Sequence, residues 1–243
     1  MKILLTNDDG IESEGILALA RRLSEKHSVI VVAPQRNQSA KSHSITMRGK
    51  QSLKRWEEGG TNFYAFDGTP ADCVQFAETE LGYDADIVIS GINNGMNLGS
   101  DVLYSGTVGA AMDGAHFGMR AIAVSLYYDY SDAPETLSFD GAAAYIEENL
   151  LRFYRLLSPG MTLNVNVPLA PECGEAFCPL GFSNYDQKYS FDGEHYTLQG
   201  IPFDLARSEE GCDLWYASRG YITLTPLLLN FTDRETLARW KKM

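Results

Sequence analysis

The chain predicts an α/β fold: a doubly wound, mostly parallel sheet of Rossmann-like type, with a C-terminal β-hairpin arm and a terminal helix. Three observations carry that prediction. A strand-type run, a helix-period segment and a second apolar run follow one another at the start of the chain, and a β–α–β order of this kind implies parallel strands joined by a right-handed crossover. The alternation of strand and helix patterns then continues as far as residue 167, as in doubly wound proteins. From 168 to 225 the pattern changes, with dense Pro, Gly and aromatic residues in short alternating segments.

Lys2–Thr6 is the first strand. Residues 15–26 follow with Ile16, Leu19, Ala20 and Leu23 on one helical face. Ser28–Ala33 is a continuous apolar run, the mark of a strand buried on both faces, and Pro34 ends it. Ile45–Met47, Gln51–Trp56 and Asn62–Phe66 alternate polar and apolar, with Gly59-Gly60 as a turn, and predict an antiparallel excursion. Thr69 as N-cap and Pro70 at the first helical position open a helix that runs to about Leu81 and stops at Gly82. Asp86–Ser90 is the next buried strand, and a Gly- and Asn-rich loop spans 91–106. A helix at 107–117, a strand at 121–126, a long helix at 139–157 and a strand at Thr162–Val167 complete a core of residues 1–167. Residues 168–243 read as hairpins ending in a helix at 233–242, a segment suited to oligomerisation. Trp215, Tyr216, Tyr221 and Phe231 would anchor it across a subunit boundary, or else cover the chain's own core.

Composition narrows the function. The 243 residues are 44% hydrophobic and 21% charged, which excludes disorder. A net charge of -12 argues against a protein that grips duplex nucleic acid by its phosphates, yet a few donors or a metal can invert the field inside one cleft. Cys73, Cys173, Cys178 and Cys212 form no C-x-x-C pair and read as reduced thiols of a cytoplasmic protein. No signal peptide is apparent at the start, and no apolar stretch approaches the ~18 residues of a membrane span.

In a doubly wound sheet ligands sit beyond the carboxyl ends of the strands. Asn7, Asp8, Asp9 and Gly10 follow the first strand; Arg36, Asn37, Gln38 and Ser39 the second; Asn93, Asn94 and Asn97, then Ser105, Gly106 and Thr107, the Asp86–Ser90 strand. All would fall on one rim. Asp8 and Asp9 repel each other unless a cation or donors neutralise them. Gly10 would bend the chain so that both face one point. Such hard oxygens suit Mg²⁺ or Mn²⁺, although a solvated turn with an N-cap Asp fits the same letters. Ser39 and Asn93 could add neutral oxygens, or serve as loop hydrogen-bonders. Ser105-Gly106-Thr107 opens a helix whose free N–H groups make a phosphate site, or simply caps it. His43 in Lys41-Ser42-His43-Ser44 could meet a phosphate or hold structure. The glycine-rich loop fits neither the dinucleotide nor the P-loop pattern.

MKILLTNDDGIESEGI, VVAPQRNQSAKSHSIT, GTPADCV, DIVISGINNGMNLGSDVLYSGTVGAAMDGA, LNVNVP and GYITLTPL resemble the SurE family, the survival protein E group of metal-dependent 5'/3'-nucleotidases. The resemblance implies a divalent ion held by Asp8, Asp9, Ser39 and Asn93, with Ser105, Gly106, Thr107 and Asn97 lining the phosphate pocket. Asn37 and His43 remain substrate-contact candidates from their place on the rim. Implied substrates are nucleoside monophosphates, related small phosphates and short polyphosphate, and implied assemblies are homodimers or homotetramers that exchange C-terminal segments. The expected chemistry is water-mediated phosphomonoester hydrolysis in which Asp8 or Asp9 orients or deprotonates the water. Two departures stand out: Gly181–Lys188 replaces an Arg-rich stretch, and Cys212-Asp213 replaces a Thr-Asp pair. Rival readings are a non-catalytic nucleotide- or metal-binding protein of the same fold, an aspartyl-phosphate phosphatase, which would want an Asp where Gly10 stands, and a nucleotide-sugar transferase, which would want two similar domains.

Overall fold

Alternation of side chains along the first strand, β1 (Lys2–Thr6), decides how the layers form. Ile3 and Leu5 join one apolar cluster with the helices α1 (Glu14–Ser24) and α4 (Asp140–Leu156); Leu4 joins the other with α2 (Pro70–Thr79) and α3 (Gly106–His116). Each sheet face thus carries two helices, and the expected face of α1, Ile16, Leu19, Ala20 and Leu23, is buried.

The computed structural model describes residues 1–128, 137–182, 186–201 and 204–243. Its remaining elements are β2 (Ser28–Pro34), β3 (Leu53–Glu58), β4 (Thr61–Phe66), β5 (Ile87–Asn94), β6 (Arg120–Tyr127), β7 (Met161–Pro168), β8 (Glu175–Phe177), β9 (Asp186–Phe191), β10 (Tyr196–Ile201), α5 (Asp213–Ala217), β11 (Ile222–Leu228) and α6 (Arg234–Trp240). The main sheet has nine strands in the order β3-β4-β2-β1-β5-β6-β7-β11-β8. Strands β4 to β7 in that order are parallel, β3 is antiparallel to β4, and β11 is antiparallel to β7. From β1 the chain builds outward through β2 and β4, then crosses back to lay β5 on the other side of β1. The β1/β5 boundary is therefore the topological switch point, where loops diverge and a crevice opens. The α/β fold with its hairpin, β9–β10, and its terminal helix is as the sequence predicts.

Four expectations change. Ile45–Met47 forms no strand: Thr46 N–H donates to Asp72 Oδ1 (2.9 Å) and Thr69 Oγ1 donates to Ser44 O (2.7 Å), so this segment is tied to the start of α2 instead of a neighbouring strand. Asp72 also completes a capping box with Thr69, a reciprocal pair that frees helix starts from unpaired N–H groups. The Asp86–Ser90 strand continues to Asn94 through a register shift between Ser90 and Asn93. Inside the expected 91–106 loop a short 3₁₀ helix forms at Gly99–Leu103. Within 168–225, β8 and β11 join the main sheet and α5 forms a helix, so among the described residues there the hairpin is β9–β10. Of the unusual Gly181–Lys188 stretch, residues 183–185 lie outside the described residues.

Trp215, Tyr216 and Tyr221 pack on one another, with the Arg219 guanidinium 3.8 Å from the Trp215 ring centre, whereas Phe231 is exposed. The four cysteines are free thiols. Among the described residues no helix is long and apolar enough to cross a membrane.

Candidate functional site

Asp8 and Asp9 leave β1 at the switch point, and the chain bends at once. Gly10 has φ +104°, a backbone that L side chains rarely adopt, and a Cβ there would also crowd Arg36 at 3.3 Å. Asn7 locks the bend: its Nδ2 donates to Gly10 O (2.9 Å) and Ser13 Oγ (2.7 Å), and Gly10 N–H donates to its Oδ1 (3.2 Å). The bend expected from Gly10 is present; Asn7, on the same rim, works as its brace.

Asp8 is 4% exposed. Thr107 Oγ1 donates to Asp8 Oδ1, and Gln38 N–H donates to Asp8 O (2.7 Å). A Cβ on Gly106 would fall 2.8 Å from Asp8 Cβ and 2.9 Å from Oδ2, so only glycine lets the start of α3 come this close. The positive end of a helix there favours a carboxylate. Burial nevertheless pushes the Asp8 carboxyl above the ordinary aspartate range; Thr107 pulls it down and Asp9 pushes it up. Asp9 is raised too, by burial, against the Asn94 N–H that donates to its Oδ2 (3.0 Å). Asn37 Nδ2 donates to Asp9 Oδ1 (3.4 Å). None of the ion pairs among the described residues involves either carboxylate.

The β5 bulge brings the opposite wall in. Gly91 has φ +135°, and a Cβ there would lie 2.2 Å from Val124 O, so the extra residue passes close to β6 only because it lacks a side chain. The bulge delivers Asn94 N–H to Asp9 and sets Asn93 on the cavity wall. Asn93 Nδ2 donates to Gly95 O (2.8 Å), which leaves Oδ1 as the amide's other polar group. From the β2 side, Ser39 N–H donates to Asn37 Oδ1 (2.9 Å) and Ser39 reaches the same cavity. That cavity, about 460 Å³, is lined by Asp8, Ser39, Asn93, Asn97 and Ser105 among others, with Met96, Tyr104 and Leu198 of β10 on its apolar side.

The residues named from sequence divide accordingly. Asp8, Ser39, Asn93 and Ser105 line one cavity, and Asp9 and Asn37 are hydrogen-bonded beside it. Ser105 Oγ caps α3 by accepting Val108 N–H (3.1 Å), and its own hydroxyl hydrogen is still available. Thr107 is fully buried with its hydroxyl committed to Asp8, and Gly106 makes room for Asp8. Asn97 lines the cavity, but its side chain donates to Ser125 Oγ (2.8 Å). Its N–H donates to Asn166 Oδ1 (2.8 Å), and its carbonyl accepts from Asn164 Nδ2 (2.8 Å) and Asn166 Nδ2 (3.1 Å). His43 stands apart: its Nε2 lies 3.0 Å from Asp113 Oδ1, on the wall of a second, largely apolar cavity of about 540 Å³.

Sequence reasoning missed the frame behind the site. Asn164 and Asn166 sit two apart in buried β7, and polar residues at i and i+2 in an apolar strand were the available signal. Asp213 is fully buried and accepts from Gly99 N–H (2.7 Å), Gly181 N–H (2.7 Å) and Leu214 N–H (2.9 Å), tying the loop after β5 to α5. Cys212, at the N-cap of α5, makes no side-chain cap.

Fold and site together define a doubly wound α/β protein with an acidic, oxygen-lined cavity at the switch point of its sheet. Residues 3–187 match the family described as Survival protein SurE, and the chain belongs to that family. It is 43% identical over 252 residues to the 5'-nucleotidase SurE of Pelotomaculum thermopropionicum, covering 100% of this chain and 95% of that protein. It is 40% identical over 248 residues to the 5'-nucleotidase SurE of Clostridium beijerinckii, covering 98% and 97%. The crystal structure of the SurE protein from Aquifex aeolicus superposes with a TM-score of 0.84 at 33% identity, covering 100% of this chain and 99% of that one.

Proposed function

We propose that this chain is a metal-dependent phosphomonoesterase that hydrolyses nucleoside 5'- and 3'-monophosphates to nucleoside and phosphate. The observation that carries the reading is buried Asp8 lining one cavity with Ser39 and Asn93, beside half-buried Asp9, with no cationic side chain paired to either carboxylate among the described residues. Oxygen-only donor sets of this kind fit Mg²⁺ or Mn²⁺, and two adjacent aspartates raised by burial are groups a cation would relieve. Asp8, Asp9, Ser39 and Asn93 would hold that ion. Bound there, it would offset phosphoryl charge and acidify a water.

The chain's own groups do the rest. Asp8 is held by Thr107 and the start of α3, and Asp9 by Asn94 N–H and Asn37, so both oxygens keep fixed directions while substrate comes and goes. One of the pair takes the proton of the attacking water. The Ser105 hydroxyl donates to a phosphoryl oxygen. Met96, Tyr104 and Leu198 give the nucleoside an apolar wall. Relatives named 5'-nucleotidase SurE support the substrate class. We further propose a homodimer or homotetramer assembled through 168–243, with 1–167 as the catalytic core; a terminal α6 with no buried residue and an exposed Phe231 support it.

The test is phosphate release from a panel of nucleoside monophosphates, with and without chelator. Release that stops with chelator and returns with Mg²⁺ or Mn²⁺ is expected. A protein that binds nucleotides and releases no phosphate from any of them refutes the enzyme.

A further inference from the structure

Residues 38–44 form a strap that leaves Asp8, passes the cavity at Ser39 and comes to rest on α3. Gln38 N–H donates to Asp8 O at its start. Ala40 (φ +57°) and Ser42 (φ +56°) both adopt the left-handed region, which disfavours non-glycine residues, and such backbones persist only where surrounding contacts enforce them. Hydrogen bonds and close packing against α3 and the Gly99–Leu103 turn enforce them here. Ser42 N–H donates to Tyr104 O (3.0 Å) and Ser42 Oγ donates to Leu103 O (2.5 Å). A Cβ on Gly109 would lie 2.9 Å from both His43 Cα and Ser42 O, so the strap presses directly on the helix backbone. One turn further along the same face, Asp113 is 3% exposed and meets His43 Nε2 at 3.0 Å. Its other oxygen, Oδ2, is buried without a hydrogen bond, so among the described residues His43 is the side chain that answers this carboxylate. Residues of α3 therefore locate both arms of the site: Thr107 holds Asp8, and Asp113 holds the strap that carries Ser39.

We propose that His43 and Asp113 are positioning residues, a clasp that fastens the strap to α3 and so sets Ser39 in the cavity. The proposal rests on the reading of Ser39 as part of the cation site. His43 itself touches neither substrate nor ion.

The test compares wild type with His43→Ala, Asp113→Ala, the double variant and His43→Gln, which keeps an N–H donor of similar reach. Mn²⁺ affinity is measured without substrate by titration calorimetry or electron paramagnetic resonance, and amide hydrogen exchange is followed across 38–44. Each single alanine variant is expected to weaken Mn²⁺ binding by about 10-fold or more, the scale seen when supports of metal ligands are lost. Each should also speed exchange across the strap, the double variant should lose no more than either single one, and His43→Gln should recover most of the loss. Mn²⁺ affinity within twofold of wild type in both single variants overturns the clasp, as does a double variant whose loss is the product of the single losses. Failure of wild type to bind Mn²⁺ overturns the cation reading instead. Exchange then decides the clasp: a matched acceleration in both single variants supports it, and unchanged exchange overturns it.

Discussion

Gly106→Ala probes the site's geometry with one methyl group. The new Cβ would lie 2.8 Å from Asp8 Cβ and 2.9 Å from Oδ2, so Asp8 must retreat by about 0.6 Å to reach the 3.4 Å of ordinary contact. Retreat breaks or lengthens the Thr107–Asp8 hydrogen bond and moves the carboxylate relative to Ser39 and Asn93. Overpacking of this kind costs roughly 1–3 kcal/mol. At ~2–4 °C per kcal/mol for a chain of this size, the melting temperature should fall by about 4–8 °C for a mid-range loss. Displacements approaching 1 Å at reacting groups cost up to ~10²-fold, so kcat/KM for phosphate release from AMP should drop by about 10- to 100-fold. Gly141→Ala is the control: in α4 a Cβ there meets nothing within 4 Å, its φ is ordinary, and a gain of about 0.4–1 kcal/mol with full activity is expected. Steady-state phosphate release and a thermal melt, run on both variants, check the reasoning. Wild-type kcat/KM in Gly106→Ala would refute the account of why glycine opens α3.

Cation removal should be visible without substrate: Mn²⁺ at a hundred times its Kd should stabilise the protein by ~2.7 kcal/mol, a melting shift of about 5–11 °C that Asp8→Asn loses. Acidity should act in a defined direction. Burial raises Asp8 and Asp9 in the folded state, so each destabilises the metal-free fold above its folded pKa, and that penalty is relieved as pH falls from there toward the ordinary aspartate value. The stability advantage of Asp8→Asn over metal-free wild type should therefore shrink on acidification, while the half-activating cation concentration rises; a pH-independent difference in thermal melts would contradict this. Asp213→Ala strands the buried N–H groups of Gly99 and Leu214 and should cost at least ~2 kcal/mol by urea unfolding, because each unpaired group carries a desolvation penalty of ~1–3 kcal/mol. In alkylation at pH 7.5, Cys173 should be labelled ahead of Cys178, which is buried with its thiol pushed up to about 11, and ahead of buried Cys73.

Local signals were enough wherever one residue type had one physical use. Short apolar runs and a helical face placed β1, α1 and β2; Thr69-Pro70 marked the start of α2; Gly10 after two aspartates marked a bend. Ile45–Met47 alternates like a strand, and nothing local says that Asp72, distant in sequence, will claim Thr46 N–H first. Thr107 reads as a phosphate donor at a helix start, yet its hydroxyl points to Asp8 because α3 packs against the end of β1. His43, open in the sequence to a phosphate contact or a structural role, turns to Asp113 because the strap folds down on Gly109.

The order of residues alone determined the α/β class and brought Asp8, Asp9, Ser39, Asn93 and Ser105 to one rim, since strand ends in a parallel sheet lie on one side whatever the loops do. Which hydroxyl serves a neighbour and which faces the cavity, where β5 bulges, and how α5 packs on β11 and β11 pairs with β7 were decided only in three dimensions. Hydrogen-bond partners far apart in the chain compete for the same donors there, and close backbone approach settles the competition.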